Sequence, residues 1–343
     1  MAYLLGLDIG TSGVKALLMT ETGEVAGSVT EEYPLHSPRP GWTEQEPEDM
    51  WQASVKAVRG VLSKCGVSGS DVKGVGLSGQ MHSSVFLDKD YQVIRRAILW
   101  NDTRTSGQCQ AIRDALDPEM LFAEVCNPVL EGFTLPKVVW LRDNEPQNYE
   151  KLRWLVLPKD YVRFRLTGNL AMEVSDAAGM LMMNVREQKW SLPVLEGLGI
   201  SSEILPPIIQ SSEVAGTITA DVAELTGLAE GTPVVGGGAD NACGAVGSGV
   251  VKPGRGMISL GTSGVVLAHL TEPRLVRTGT VHMFNSSVPN EFYMMGVSLA
   301  AGLSLSWFRE NMSDPSESYD AMTERAAASP AGSRGLLFLP YLQ

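Results

Sequence analysis

The chain has 343 residues, 44% of them hydrophobic, with a net charge of −12. That length supports an ample core and is long for one domain, so two are expected, and the acidic balance argues against nucleic acid or an anionic membrane as the main partner. Cys65, Cys109, Cys126 and Cys243 lie far apart and the first apolar run is short and broken by Asp8, which points away from disulfides, zinc, a signal peptide or a membrane span and towards free thiols in the cytoplasm.

In chain order, Tyr3 to Leu7 and Val14 to Met19 are apolar runs of the kind buried strands have, with small residues between them. The stretch Leu7-Asp8-Ile9-Gly10-Thr11-Ser12-Gly13-Val14-Lys15 therefore reads as strand, tight turn, strand. Glycine lets a ligand approach the backbone, and Thr and Ser add hydroxyl donors, so such a turn suits a phosphate. Asp8 at the strand end suits Mg²⁺ held through water, and Lys15 on the return strand suits a phosphate oxygen; a strand-end Asp beside a snorkelling Lys is the plainer alternative. The P-loop pattern is absent.

Glu21 to Val25 forms a hairpin turn into a third strand, Val25 to Tyr33. A helix begins at Pro47, with Glu48 and Asp49 at its positive end and Trp51, Val55, Val58 and Leu62 on one face, and Gly66 closes it. Val72 to Leu77 is a buried strand, followed by Ser78-Gly79-Gln80-Met81-His82 at its C-terminal end, where open α/β sheets place ligand sites. Gln80, Met81 and His82 are thus candidate substrate contacts, although a single His is also common as an ordinary polar loop residue. Ala97 to Arg104 repeats the pattern of strand then polar and aromatic residues; Trp100 suits a sugar platform as well as a core position. Leu155 to Leu157 runs into Pro158-Lys159-Asp160-Tyr161 and a helix that stops at Gly168, and Asp176 to Gly179 is a polar break in an apolar region.

The most chemically loaded segment is Pro233 to Gly247: a buried strand, three glycines, then Asp240-Asn241 opening a small-residue helix. Asp240 reads as a general base that takes a proton from a hydroxyl, with Asn241 holding a neighbouring hydroxyl; a bare helix N-cap would not require the three glycines. After a linker at Pro253 to Gly256, Leu260-Gly261-Thr262-Ser263-Gly264-Val265 nearly repeats the first hairpin. A matched pair of turns suggests two similar domains approaching one polyphosphate from opposite sides.

Together, D-I-G-T-S-G-V-K, S-G-Q-M-H, I-L-W-N-D-x-R, L-P-K-D-Y, S-D-A-A-G, G-G-G-A-D-N-A-x-G-A-V-G and S-L-G-T-S-G-V resemble the FGGY family of carbohydrate kinases over essentially the whole chain. Within it the pattern is most similar to the xylulokinases, since glycerol kinases carry Arg-Glu at the Met-His position. The resemblance implies an α/β, ribonuclease H-like or actin-like ATPase fold of two similar domains with mixed sheets, residues 1–250 and 251–343, the second incomplete. It implies transfer of the γ-phosphoryl group of ATP to the 5-hydroxyl of D-xylulose, with Mg²⁺. By position, Asp240 is the base and Asp8 supports the metal. Met81, His82, Trp100 and Asn241 contact the sugar, Thr11, Ser12, Gly13 and Lys15 meet the terminal phosphate, and Gly261, Thr262 and Ser263 belong to the turn that meets the other phosphates. The residues alone do not choose xylulose over another ketose or polyol. Family members run on past the last residues, Leu336 to Gln343, which leads to the expectation of a severed strand edge that aggregates or pairs into a homodimer, with weak ATP affinity and no useful ATP turnover by this chain alone. A non-catalytic sugar-binding fragment is the reading from another class, and sugar binding without ADP release would distinguish it.

Overall fold

The computed structural model describes residues 1–276, 279–314 and 316–342; Gln343, the last residue of the terminal run, lies outside them. The opening meander forms as strands Tyr3–Ile9, Gly13–Thr20 and Val25–Glu32. Leu5, Leu7 and Ile9 are buried and alternate with exposed Leu4 and Asp8, as a strand with one packed face requires.

Among the described residues, the main sheet has seven strands, in the order Val214–Thr217, Pro233–Val235, Val72–Gly79, Tyr3–Ile9, Gly13–Thr20 and Val25–Glu32, with Gly238–Ala239 also pairing with Val72–Gly79. It is mixed, because Tyr3–Ile9 runs parallel to Val72–Gly79 and antiparallel to Gly13–Thr20. The second sheet orders Gly256–Leu260, Gly264–Leu270, Phe292–Ser298 and His282–Asn285, antiparallel throughout the described strands.

The helix Pro47–Cys65 packs on the second and third strands and buries Trp51, Val55, Val58 and Leu62, each contributing roughly 1.5–3 kcal/mol from its apolar area. It ends where expected, at Gly66 in the left-handed region with φ 64°, as a side-chain-free C-cap allows. The strand Trp154–Val156 leads into the helix Pro158–Thr167, which Gly168 terminates at φ 73°.

A short strand, Ala97–Ile98, paired with Glu44–Gln45, opens the Ala97 to Arg104 segment. Two expectations are corrected. The Asp176 to Gly179 segment is not a polar break in the surface sense: Val174–Ala178 is a helical turn with all its residues buried, because the Glu173 carboxylate caps the Ser175 and Asp176 amides and Lys159 reaches Asp176 at 3.3 Å. The terminal run Leu336 to Leu342 is not a strand edge; it is irregular, with Phe338 packed near Trp307 at 5.9 Å between rings. All four cysteines are free. Among the described residues, no helix is long and apolar enough to cross a membrane.

Candidate functional site

The register of the main sheet assembles the site. Lys15 lies opposite Asp8 in the antiparallel ladder, Asp8 opposite Ser78 in the parallel one, and Ser78 opposite Gly238. Residues directly paired across strands project to the same face, so Lys15, Asp8, Ser78 and the approach to Asp240 form one row at the end of the sheet. Ser78 Oγ donates to Asp8 Oδ1 at 2.8 Å. Asp8, Ser12 and Lys15 are exposed.

The turn between the first two strands is closed by the Gly10 amide donating to the Gly13 carbonyl at 3.0 Å. Tyr33 Oη and Gln80 Nε2 donate to the Gly10 carbonyl, and Gln45 Nε2 donates to the Thr11 carbonyl at 2.6 Å. With its carbonyls occupied inside, the turn leaves Ser12 and the Thr11 hydroxyl at the surface. Gly13 is required for packing: a Cβ there would lie 2.5 Å from the Glu31 carbonyl oxygen.

Asp240 is the first residue of the helix Asp240–Gly247; Ala239, not Asp240, occupies the cap position. Its carboxyl is open to solvent on one side but enclosed on the others, and this burial, with the charge of Asp8, holds it up at about 6 against the pull of hydrogen bonds from Asn241. Those come from the Asn241 amide at 2.6 Å and from Asn241 Nδ2 at 2.8 Å. A carboxyl with that value is ionised at neutral pH and basic enough to accept a proton.

Met81 is buried beside this pair, its sulfur 4.0 Å from Asn241 Nδ2 and 3.9 Å from Tyr293 Oη. His82 sits at φ 66°, a conformation held by Thr134 Oγ1 donating to its carbonyl at 2.9 Å. Its Nδ1 lies 2.6 Å from the Gly179 carbonyl. A carbonyl only accepts, so Nδ1 carries the proton and neutral Nε2 is left as an acceptor. Burial lowers the imidazole to about 3, with Lys137 and His282 adding to it against the Gly179 bond, and the ring packs on Phe133 at 4.5 Å and Phe284 at 5.9 Å. Trp100, half-exposed, donates its indole N–H to Thr11 Oγ1 at 3.0 Å, which ties the aromatic candidate directly to the first turn.

Most of the sequence candidates thus converge: Asp8 and Lys15 in one row, Asp240, Asn241 and Met81 in contact, and Trp100 on Thr11. The second turn stands apart. Gly261 and Thr262 are exposed, and their carbonyls accept from Ala301, Gly302 and Leu303. Among the described residues, no hydrogen bond joins Gly261, Thr262 or Ser263 to the first turn. The two turns also differ in length, since Ile9 pairs with Val14 but Leu260 with Gly264.

Sequence reasoning missed Tyr33, Gln45, Ser78, Gly179 and Tyr293. Ser78 opens the flagged S-G-Q-M-H segment but was given no role of its own; Gln45 and Tyr293 sit in segments with no local signal.

A mixed sheet bearing the first hairpin, a second sheet bearing the second, and a carboxylate at a glycine-cleared strand end agree with the actin-like ATPase fold that the chain shares with solved carbohydrate kinases. The N-terminal domain profile of the FGGY family of carbohydrate kinases matches residues 3–247 and its C-terminal domain profile matches residues 256–343, so the chain belongs to the FGGY family of carbohydrate kinases. It is similar to the xylulose kinase of Bacillus subtilis (strain 168), 44% identical over 342 residues, covering 100% of this chain and 68% of that protein. Among solved structures it is similar to a xyloylose kinase from Brucella ovis (TM-score 0.85, 37% identity, 90% of this chain and 63% of that one). It is also similar to a gluconate kinase from Lactobacillus acidophilus (TM-score 0.92, 25% identity, 99% and 68%). The chain thus spans about two thirds of the length of these relatives.

Proposed function

We propose that the protein is an ATP-dependent kinase for D-xylulose that phosphorylates its 5-hydroxyl. The observation that carries this reading is the contact of Asp240, Asn241 and Met81 beside His82, at the end of the row holding Asp8 and Lys15; the name of the Bacillus subtilis relative supports the choice of sugar. In this mechanism Met81, His82 Nε2, Trp100 and Asn241 hold the ketose so that its 5-hydroxyl faces Asp240. The hydroxyl oxygen forms a bond to the γ-phosphorus as the bond to the β,γ-bridging oxygen breaks, the hydroxyl proton passes to Asp240, and ADP leaves. Such transfers gain mainly from positioning and charge stabilisation. Thr11, Ser12, Gly13 and Lys15 bind the terminal phosphate, and the Gly261, Thr262 and Ser263 turn binds the remainder of the polyphosphate.

Among the described residues no group of three or more His, Cys, Asp or Glu side chains is placed to hold a metal. Ser78 donates to Asp8 Oδ1, and among the described residues no hydrogen bond is made to Asp8 Oδ2, which fits an ion such as Mg²⁺ that is bound by one or two carboxylates, phosphates and water. Bound there, Mg²⁺ would neutralise charge on the phosphates. The test is sugar-dependent ADP release, measured with D-xylulose, other ketopentoses, glycerol and gluconate under one assay. The reading expects D-xylulose to give the highest kcat/KM; glycerol or gluconate preferred over it would contradict the substrate, and sugar binding without ADP release would favour a non-catalytic protein.

A further inference from the structure

The L-P-K-D-Y and S-D-A-A-G stretches take no part in the chemistry above, yet their side chains meet in the interior directly behind it. Lys159 Nζ lies 3.0 Å from Asp160, 3.3 Å from Asp176 and 3.7 Å from Glu173, and Arg163 lies 2.7 Å from Asp160, all fully buried. Burial alone would lower Lys159, but its carboxylate neighbours raise it, so the ammonium stays charged and the cluster is tied together. Breaking such a buried group by removing one partner is strongly unfavourable. The cluster therefore immobilises the helical turn Val174–Ala178 that runs through it.

Each end of that turn holds one limb of the site. At its start, Ser175 Oγ donates to Glu173 Oε2 at 2.7 Å and accepts from the Ala239 amide at 2.9 Å, immediately before Asp240. Arg163 also donates to the Gly236 carbonyl at 2.7 Å, fixing the beginning of the same glycine segment. At its other end, the Gly179 carbonyl takes His82 Nδ1 at 2.6 Å. There is no slack at this contact: a Cβ on Gly179 would lie 2.8 Å from His82 Nδ1, although its φ of −76° is one that alanine adopts freely.

We propose that the Val174–Ala178 turn, locked by the Lys159 cluster, is the spacer that sets the distance between the sugar contact His82 and the base Asp240, with Ser175 and Gly179 as positioning residues for the two limbs. The inference rests on the kinase reading above and assigns opposite kinetic effects to the two ends of one short element. Ser175→Ala frees the Asp240 limb and should lower kcat about tenfold while leaving the KM for D-xylulose within about twofold, because placement of the base matters only in the transition state. Gly179→Ala displaces His82 and should raise the KM for D-xylulose about tenfold with kcat within about twofold, the pattern of lost uniform binding. A merely structural role would depress both parameters alike in both variants.

Steady-state kinetics of both variants, with melting curves to establish folding, decide between these outcomes. Should Ser175→Ala not fold, Ser175→Cys keeps the side-chain shape, weakens the same tether because a thiol is a poor hydrogen-bonding group, and is expected to give the same split. Folded Ser175→Ala with kcat within about twofold of the parent, or the same split in both variants, overturns the proposal. Amide hydrogen exchange supplies a readout that needs no turnover. Ser175→Ala should speed exchange in residues 237–241 and Gly179→Ala in residues 81–84, each leaving the other segment unchanged. A parent without xylulose-dependent turnover would overturn the kinase reading alone, whereas unchanged exchange in both segments would overturn the spacer.

Discussion

Replacing Asp240 by Asn separates chemistry from stability, and the structure gives the sign of both effects. Asn retains an oxygen that can accept the hydrogen bonds now made by the Asn241 amide at 2.6 Å and Nδ2 at 2.8 Å, so the local backbone should be kept. What is lost is the carboxylate that accepts the hydroxyl proton, and kcat should fall by on the order of 10²–10⁴, the usual worth of a general base. Sugar binding should persist. Stability should move the other way. Enclosure and the charge of Asp8 raise Asp240 from 3.8 to about 6 in the folded protein. The folded state thus binds this proton more tightly than the unfolded chain, and the stability this contributes is lost as pH rises through about 6. Asn carries no such titration, so the variant should gain on the parent as pH rises from 3.8 to about 6 and keep that gain at higher pH; because the group is open to solvent on one side, the gain should be small. The assay is kcat by coupled ADP release together with melting temperature across pH 5 to 8. A variant that keeps kcat within a few-fold of the parent, or that loses activity only because it melts at the assay temperature, would refute the reasoning.

Three further substitutions test separate parts of the site. His82→Ala should raise the KM for D-xylulose and leave that for ATP nearly unchanged; and since burial holds the native imidazole at about 3, the parent's sugar KM should show no titration step near the ordinary imidazole value of about 6.5. Trp100→Phe keeps a ring but removes the 3.0 Å donation to Thr11 Oγ1, so kcat/KM for the sugar should fall about 2–10-fold, the worth of one hydrogen bond; an unchanged value would free Trp100 from the site. Gly13→Ala would drive a methyl to 2.5 Å from the Glu31 carbonyl oxygen, and calorimetric melting should register a loss of about 1–3 kcal/mol, whereas an unaltered melting temperature would mean that the hairpin opens without cost.

Local chemistry made much of this legible in advance. The first hairpin, the Pro47–Cys65 helix with its Gly66 cap and the Asp240 helix are written in short-range pattern: alternation, a proline at the first turn, glycine where the backbone turns left-handed. The candidate residues could be named because they lie at strand ends. What escaped was set by pairing between distant segments. Ser78 meets Asp8 across 70 positions and His82 meets Gly179 across 97, and neither partner looks unusual in its own stretch. Asp176 was misjudged for the same reason: a polar residue in an apolar run reads as a break until the buried Lys159 ammonium 3.3 Å from it is seen. The sugar itself was never in the local pattern; it came from resemblance. Fold likeness does not choose it either, since a gluconate kinase shares the architecture at a TM-score of 0.92.

The central claim, phosphoryl transfer to one hydroxyl of one ketose under the control of Asp240, is tested most directly by identifying the product. Incubation with carbon-13-labelled D-xylulose and Mg·ATP, followed by carbon and phosphorus NMR, should show a phosphoester on C5, formed in step with ADP by the parent and slower by on the order of 10²–10⁴ with Asp240→Asn. A phosphate on another carbon, ADP formed without any sugar ester, or equal product from the parent and the variant would contradict it.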